Sequence, residues 1–292
     1  MNKLVQRLLI FFVGLPLIIL LVYFLPHKNQ LALNIAVIVF SALGAFEFAS
    51  LLKEKNLFIH PVEAMILGAI MPAVSAAIVS FGLDERFASG CFIAALVWIL
   101  LSRIFSSWQA LDGFINRFAA SLAVLVYPGM LMEWIIYMGR FENANIIILV
   151  FLLIVIANDS AAWAFGMLFG NNNRNIIPVS PNKSIAGFAG GTATAILVGA
   201  GAAVLLPGVF VINSVSFLNN LPPVYSGILL GLLCGITGSL GDLAESALKR
   251  SSGLKDSGNL MPGRGGILDS IDSIALAAPV FYLLFSLLFV QS

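Results

Sequence analysis

Residues 227–248 read GILLGLLCGITGSLGDLAESAL, and residues 249–273 continue as KRSSGLKDSGNLMPGRGGILDSIDS. The first stretch is long and apolar enough to cross a lipid bilayer as one helix. The second gathers cations, aspartates and glycines before the chain returns to hydrocarbon in IALAAPVFYLLFSLLFV, residues 274–290. Two apolar spans joined by a short charged loop indicate a helical membrane protein.

Composition extends this prediction to the whole chain. Hydrophobic residues make up 60% of the 292 residues and charged residues only 10%, whereas soluble domains carry about 25% charged residues. The segments do not alternate over about 10 residues as the strands of a membrane barrel do. A net charge of +1 argues against a nucleic-acid partner. Cys91 and Cys234 are isolated in apolar runs and have neither disulfide nor zinc spacing.

Apolar segments of about 20 residues recur along the sequence. We therefore predict an all-α polytopic membrane protein with about nine transmembrane helices. The segments are 8–25, 31–52, 62–82, 88–106, 117–138, 145–169, 186–206, 225–248 and 267–290.

The distribution of Lys and Arg predicts the orientation. If the N-terminus is cytoplasmic, only Lys28, Arg86 and Arg140 of the 15 Lys and Arg residues lie on the outer side, as the positive-inside rule expects. The charged stretch 249–273 then faces the cytoplasm. No cleavable targeting segment is evident and the loops are short, which favours a bacterial inner membrane.

The sequence also suggests two parts. Ionisable groups in residues 1–140 lie mostly in loops, so we expect this part to be a scaffold of transmembrane helices. Residues 141–292 carry acids inside or at the ends of spans, and we expect them to form a catalytic region with a cytoplasm-facing polar site.

Five carboxylates lie in the last spans, although an aspartate at the bilayer centre costs about 2.5–3.5 kcal/mol. Asp159 is deep in the sixth segment, Asp242 and Glu245 share one helix face, and Asp269 and Asp272 share another. Carboxylate and phosphate oxygens are the ligands that Mg²⁺ prefers. We expect a two-cation site of Mg²⁺ and a second divalent or monovalent ion, with Asp242 and Asp269 as central ligands. The alternative is a structural ion-pair network.

Cations and glycines around these acids suggest a phosphate site. In GNNNRNIIPVSPNKSIAGFAGG, residues 170–191, Lys183 and Ser184 precede a glycine-rich helix start, where anions bind readily. The stretch is not a P-loop, and an ordinary interfacial loop remains the alternative. Gly231 and Gly235 form a GxxxG pair that predicts close helix packing.

One motif resembles the signature of the phosphatidate cytidylyltransferases, the CDP-diglyceride synthases. The matching positions are Ser246, Lys249, Arg250, Lys255, Asp256, Pro262, Gly265, Gly266, Asp269 and Asp272. ANDSAAWAFGMLFG, residues 157–170, and VSPNKSIAGFAGG, residues 179–191, resemble upstream blocks of the family. The resemblance therefore covers about residues 150–290.

Three positions depart from the family pattern. Arg264 stands where the family usually has His, Ser270 where it has Arg, and Ala186 where it has Glu. We expect Arg264 to bind phosphate in place of the arginine that the family has at position 270. Arg264→Ala should then lower turnover or raise KM.

The resemblance implies a membrane homodimer that converts CTP and phosphatidic acid to CDP-diacylglycerol and pyrophosphate in phospholipid biosynthesis. The expected catalytic residues are Asp242, Asp269, Lys249, Lys255 and Asp256. Those expected at the metal are Asp242, Asp269, Asp159, Asp272 and Glu245. Those expected to bind substrate are Lys183, Ser184, Ser246, Arg250, Arg264, Gly265 and Gly266.

Other functions stay open at this point. A related CTP-dependent transferase or kinase could act on another lipid, because the three departures leave room for a different acceptor. An inactive paralogue is also open. A transporter is the alternative from another class, since charged spans and glycine-broken helices are common in carriers.

Overall fold

Nine apolar helices make up the regular structure of the described residues. The computed structural model describes residues 12–14, 16–102, 104, 113–213, 221–261, 263 and 265–289. The helices are α1 Phe12–Phe24, α2 His27–Lys53, α3 Pro61–Phe81, α4 Arg86–Leu101, α5 Phe114–Arg140, α6 Ala144–Phe169, α7 Ile185–Leu205, α8 Pro223–Ser251 and α9 Leu268–Leu288.

Seven of these helices are long and apolar enough to cross a membrane, and α1 and α4 are shorter apolar helices. The all-α membrane fold with about nine helices is therefore confirmed, and the helices fall on the predicted segments. Residues 8–11 and 15 of the first predicted segment, residues 103, 105 and 106 of the fourth and residue 290 of the ninth lie outside the described residues.

Two helices contain irregular turns. In α2, Lys28, Asn29 and Gln30 have positive φ, so the regular right-handed helix begins at Leu31. In α5, a wide turn of π type spans Leu125–Met130 and contains Pro128, because proline has no N–H to continue the α-helical ladder.

The chain divides into two compact units that do not follow the order of the sequence. The first comprises Met1–Tyr137 and Leu248–Ile271, and the second comprises Met138–Ala247 and Asp272–Ser292. Helices α8 and α9 each pass from one unit to the other along their length. The functional division predicted at residue 140 stays a prediction, although the charged loop after α8 belongs to the unit that holds α2 and α3.

In the second unit, glycines let α7 and α8 approach backbone to backbone. A Cβ on Gly231 would lie 2.8 Å from the carbonyl carbon of Ala195, and one on Gly235 would lie 2.8 Å from the Cβ of Ala195. The packing role predicted for this GxxxG pair is confirmed. The opposite end of α9 is buried by rings, with Phe285 packed against Phe141, Phe210 and Phe289.

Candidate active site

The charged loop between α8 and α9, residues 252–267, is organised around the carboxylate of Asp269 in the first turn of α9. Asp269 Oδ2 accepts hydrogen bonds from Ser257 N at 3.0 Å, Ser257 Oγ at 2.8 Å and Gly266 N at 2.7 Å. Asp269 Oδ1 pairs with Lys249 Nζ, and both side chains are largely buried. Protein donors therefore engage both oxygens of this carboxylate.

The two adjacent glycines of the signature serve this arrangement. Gly265 has a φ of +106°, and a Cβ there would lie 2.8 Å from Asp269 Oδ2. Gly266 gives its N–H to Asp269, and a Cβ on it would overlap the hydroxyl of Ser257. The sequence predicts that Gly266 binds a phosphate, but in this conformation its N–H donates to the carboxylate of Asp269.

A second carboxylate enters the loop from α2. Glu47 is buried, and its Oε2 accepts hydrogen bonds from Leu268 N at 2.9 Å and Ser257 Oγ at 3.1 Å. We call Glu47, Lys249, Ser257, Gly266 and Asp269 the loop network. Sequence reasoning missed Glu47, because the ionisable groups of residues 1–140 lie mostly in loops and direct attention to the second half. The signal was a lone glutamate inside an otherwise apolar span.

The second unit contains a different arrangement, which we call the acidic cluster. Asp272 interacts electrostatically with Asp242, Glu245 and Asp159, and Asp159 interacts with Asp242. Glu245 and Asp272 are buried. Four of the five predicted carboxylates therefore share one electrostatic neighbourhood, where like charges repel.

The acidic cluster also contains polar and cationic partners. Lys183 Nζ lies 2.7 Å from Asp242 Oδ2 in a pair that is about one-third exposed. Asn158 donates from Nδ2 to Asp159 Oδ1 at 3.2 Å and to Ser239 Oγ at 3.1 Å. Among the described residues, Lys183 thus brings a positive charge into this neighbourhood of four carboxylates.

Two further residues predicted to bind substrate in this unit have partners within the chain. Ser184 is buried and caps α7, because its Oγ accepts a hydrogen bond from Gly187 N at 3.0 Å. The hydroxyl of Ser246 lies 3.5 Å from Asp242 Oδ1, one turn earlier on α8.

The remaining described residues of the motif belong to the first unit, at the end of α8, in the charged loop or at the start of α9. Lys255 and Asp256 are exposed, and the exposed Arg250 donates to the carbonyl of Leu254 at 3.2 Å. Arg264 lies outside the described residues, so its expected role in place of the family's arginine at position 270 stays a prediction. Ser270, at the family's arginine position, donates to the carbonyl of Gly266 at 3.3 Å.

A metal site can be tested against these donors. Within the described ranges, no three His, Cys, Asp or Glu side chains are already arranged to hold a metal ion. The acidic cluster nevertheless offers several carboxylate oxygens, which are the ligands that a hard cation such as Mg²⁺ prefers. The donors of Asp269 are different, since protein groups satisfy both of its oxygens. Asp242 and Asp269 as a pair of metal ligands stay a prediction.

The fold and the site together define a class: a polytopic helical membrane protein that has buried acids and a basic, glycine-containing loop. The profile of the Cytidylyltransferase family matches residues 5–288. The chain therefore belongs to this family.

Similar proteins come from several bacteria. The chain is 32% identical over 205 residues to the uncharacterized protein YnbB of Escherichia coli, covering 66% of this chain and 63% of that protein. It is 36% identical over 165 residues to a phosphatidate cytidylyltransferase of Bacillus subtilis, covering 56% of each chain. It is 30% identical to a phosphatidate cytidylyltransferase of Staphylococcus saprophyticus over 92% of this chain and 96% of that protein. The chain thus spans less than two thirds of the first two relatives.

Proposed function

We propose that this protein is a phosphatidate cytidylyltransferase, which converts CTP and phosphatidic acid to CDP-diacylglycerol and pyrophosphate. The observation that carries the proposal is the family match over residues 5–288 together with the signature residues Ser246–Asp272. The relatives from B. subtilis and S. saprophyticus carry this activity in their names.

The reaction needs positioned charge more than proton transfer. A phosphate oxygen of phosphatidic acid attacks the α-phosphorus of CTP, a new P–O bond forms, and the bond from that phosphorus to the β-phosphate oxygen breaks. Pyrophosphate leaves with that oxygen. Because a phosphate monoester is already anionic near neutral pH, no side chain has to remove a proton. Catalysis then depends on orientation and charge neutralisation.

The cations of the chain fit this requirement. The exposed Arg250 and Lys255 can reach phosphates that arrive from water. Lys183 and Lys249 each form an ion pair with an aspartate, and a lysine ammonium has three N–H donors, so each can bind a phosphate oxygen while it keeps its carboxylate. We propose that these four side chains, with Arg264, hold the phosphates of the two substrates.

Metal dependence forms part of the proposal. The acidic cluster would hold the ion, and the donor set favours Mg²⁺ with a second divalent or monovalent cation. Such an ion would supply charge neutralisation at the phosphate oxygens. The carboxylates of the chain would fix the ion, and Asp242 would keep Lys183 oriented.

One assay tests the activity. Purified protein in phosphatidic acid-containing vesicles is incubated with labelled CTP and Mg²⁺, and labelled lipid and pyrophosphate are measured. Equal amounts of both products support the proposal. Labelled lipid that forms only with a different lipid phosphate would indicate a related transferase, and no labelled lipid with any lipid phosphate would overturn the enzymatic proposal.

The membrane placement is also proposed. We place the N-terminus and the α8–α9 loop in the cytoplasm of a bacterial inner membrane, as the Lys and Arg distribution predicts. Single cysteines at Ser251 or Ser252, introduced after Cys91 and Cys234 are replaced by serine, should be labelled only from the cytoplasmic side. We further propose a homodimer, and chemical cross-linking in membranes should then trap a species of twice the subunit mass.

A further inference from the structure

Glu47 is the only loop-network residue drawn from the apolar helices of the N-terminal half. It lies in the regular part of α2 with 2% of its surface exposed. Burying a carboxylate is costly unless it is hydrogen-bonded, and insertion into a membrane raises that cost. The cost of burying Glu47 is therefore offset by its hydrogen bonds to the charged loop, which suggests that the contact has a function.

The contacts of Glu47 fix the start of α9. Leu268 is the first residue of α9, and its N–H would lack a partner within the helix. Glu47 Oε2 accepts from this N–H at 2.9 Å, at the end of the helix where a negative charge is stabilised. Asp269 is the next residue, so the hydrogen bond of Glu47 to Leu268 N also restrains the backbone of Asp269.

Glu47 also shares a hydroxyl with Asp269. Ser257 Oγ lies 3.1 Å from Glu47 Oε2 and 2.8 Å from Asp269 Oδ2. A serine hydroxyl has one proton to donate, so the two carboxylates share it and hold Ser257 between them. Ser257 of the loop is therefore linked both to Glu47 of α2 and to Asp269 of α9.

The glycines around Glu47 show that the space is shaped for this side chain. Gly44, one turn before Glu47, would place a Cβ 3.1 Å from Ile271 Cδ1 of α9. A Cβ on Gly258 would lie 2.6 Å from Glu47 Cδ, and the three atoms nearest to it all belong to Glu47. Gly258 does not have a positive φ, so its small size is required by Glu47 and not by the backbone.

We propose that Glu47 is a positioning residue for the cytidylyltransferase reaction. It anchors Ser257 and Leu268 and thereby sets the geometry of Asp269 and of the loop segment that carries Lys255. The inference rests on the proposed function for its kinetic consequence, but the anchoring itself is independent of it.

Two replacements of Glu47 distinguish the effect of losing its hydrogen-bonding side chain from the effect of losing its charge. Glu47→Ala removes the acceptor of Leu268 N–H and should raise the KM for CTP by about tenfold and lower kcat by about 10–100-fold, the range seen when a supporting residue is removed. Glu47→Gln keeps an oxygen acceptor and should stay within about threefold of the native enzyme. A smaller amount of folded protein would lower kcat without moving the KM for CTP, so an unchanged KM would overturn the proposal.

A double-mutant cycle tests the contact directly. Gly258→Ala in the native background pushes against Glu47 and should reproduce the loss of activity seen in Glu47→Ala. In the Glu47→Ala background the same alanine enters vacated space and should cause no further loss. Losses that multiply, or a silent Gly258→Ala, would contradict the proposal.

Two glycines serve as controls. A Cβ on Gly266 would overlap Ser257 Oγ as well as Glu47, so Gly266→Ala should remain damaging after Glu47 is shortened. A Cβ on Gly201 would meet nothing within 4 Å, so Gly201→Ala should leave activity unchanged. Rescue of Gly266→Ala by Glu47→Ala would mean that the effect at Gly258 is not specific.

Limited trypsin digestion separates this inference from the proposed function. Lys255 is exposed in the loop, and its cleavage rate in the native protein reports how firmly the loop is held. Glu47→Ala should speed that cleavage by about tenfold or more, while Glu47→Gln should not. If the native protein makes no labelled lipid but this difference holds, the proposed function fails and the anchoring stands. Equal cleavage rates overturn the anchoring.

Discussion

The loop network and the acidic cluster use the same kind of side chain under opposite conditions. Asp269 has three hydrogen-bond donors on one oxygen and a lysine on the other. Asp272 accepts a hydrogen bond from Ser273 N at 2.6 Å and interacts electrostatically with three other carboxylates, Asp242, Glu245 and Asp159. A carboxylate that protein donors satisfy organises the chain around it, whereas neighbouring carboxylates repel one another and would be stabilised by a bound cation. The predicted acids are therefore not one uniform set of ligands.

The largest expected difference is in the stability of two variants that both lose most of their activity. Asp242→Asn and Asp269→Asn should each lower activity by about 10²–10³-fold, as loss of one preorganised charged group does. Only Asp269→Asn should also destabilise the protein, by about 1.5–3 kcal/mol, because its charge-assisted hydrogen bonds are weakened. Thermal unfolding in detergent measures this, and an Asp269→Asn variant as stable as the native protein would remove the distinction.

Magnesium should act on the acidic cluster. An ion at 100 times its dissociation constant stabilises a folded protein by about 2.7 kcal/mol, which a thermal shift on addition or chelation of Mg²⁺ detects. We expect Asp272→Asn to abolish the shift and Asp269→Asn to keep it. Loss of the shift in Asp269→Asn would instead support the pair of central ligands that the sequence predicts.

The two lysine pairs should differ in stability. Lys249 and Asp269 are 12% and 9% exposed, so Lys249→Ala leaves a buried charge and should cost about 1–3 kcal/mol. Lys183 and Asp242 are 30% and 39% exposed, so Lys183→Ala should cost less than about 1 kcal/mol. Denaturation of both variants under the same conditions checks the order, and equal losses of stability would contradict it.

The smallest effect is expected at the edge of the acidic cluster. Ser239→Ala removes one acceptor of Asn158 Nδ2, which keeps its bond to Asp159. The protein should be destabilised by about 1 kcal/mol or less, with activity changed by less than about threefold. A fall in activity as large as that of Asp242→Asn would mean that Ser239 contacts substrate or ion directly.

Much of the fold could be predicted because a bilayer restricts it. Helices satisfy their own backbone groups in lipid, so apolar length alone placed the nine helices. The irregular turn at Pro128 and the left-handed residues from Lys28 to Gln30 were not predicted, because they depend on local backbone geometry that hydropathy does not report.

The candidate site was predicted as a set of residue types and not as a set of contacts. The motif from Ser246 to Asp272 identified the acids and cations, since chemistry restricts which side chains bind phosphate and metal. Glu47 was missed because its partners Ser257 and Leu268 are 210 and 221 residues away in sequence. No local period encodes such a contact.

The sequence by itself determined that this chain crosses a membrane as helices and carries the cytidylyltransferase motif. Only the tertiary structure decided that protein donors bind both oxygens of Asp269, that Asp272 interacts electrostatically with three other carboxylates, and that Glu47 of α2 contacts Ser257 and Leu268. The physical reason is that composition and spacing set which groups are present, while hydrogen-bond donors and like charges act over a few ångströms between segments that only folding brings together.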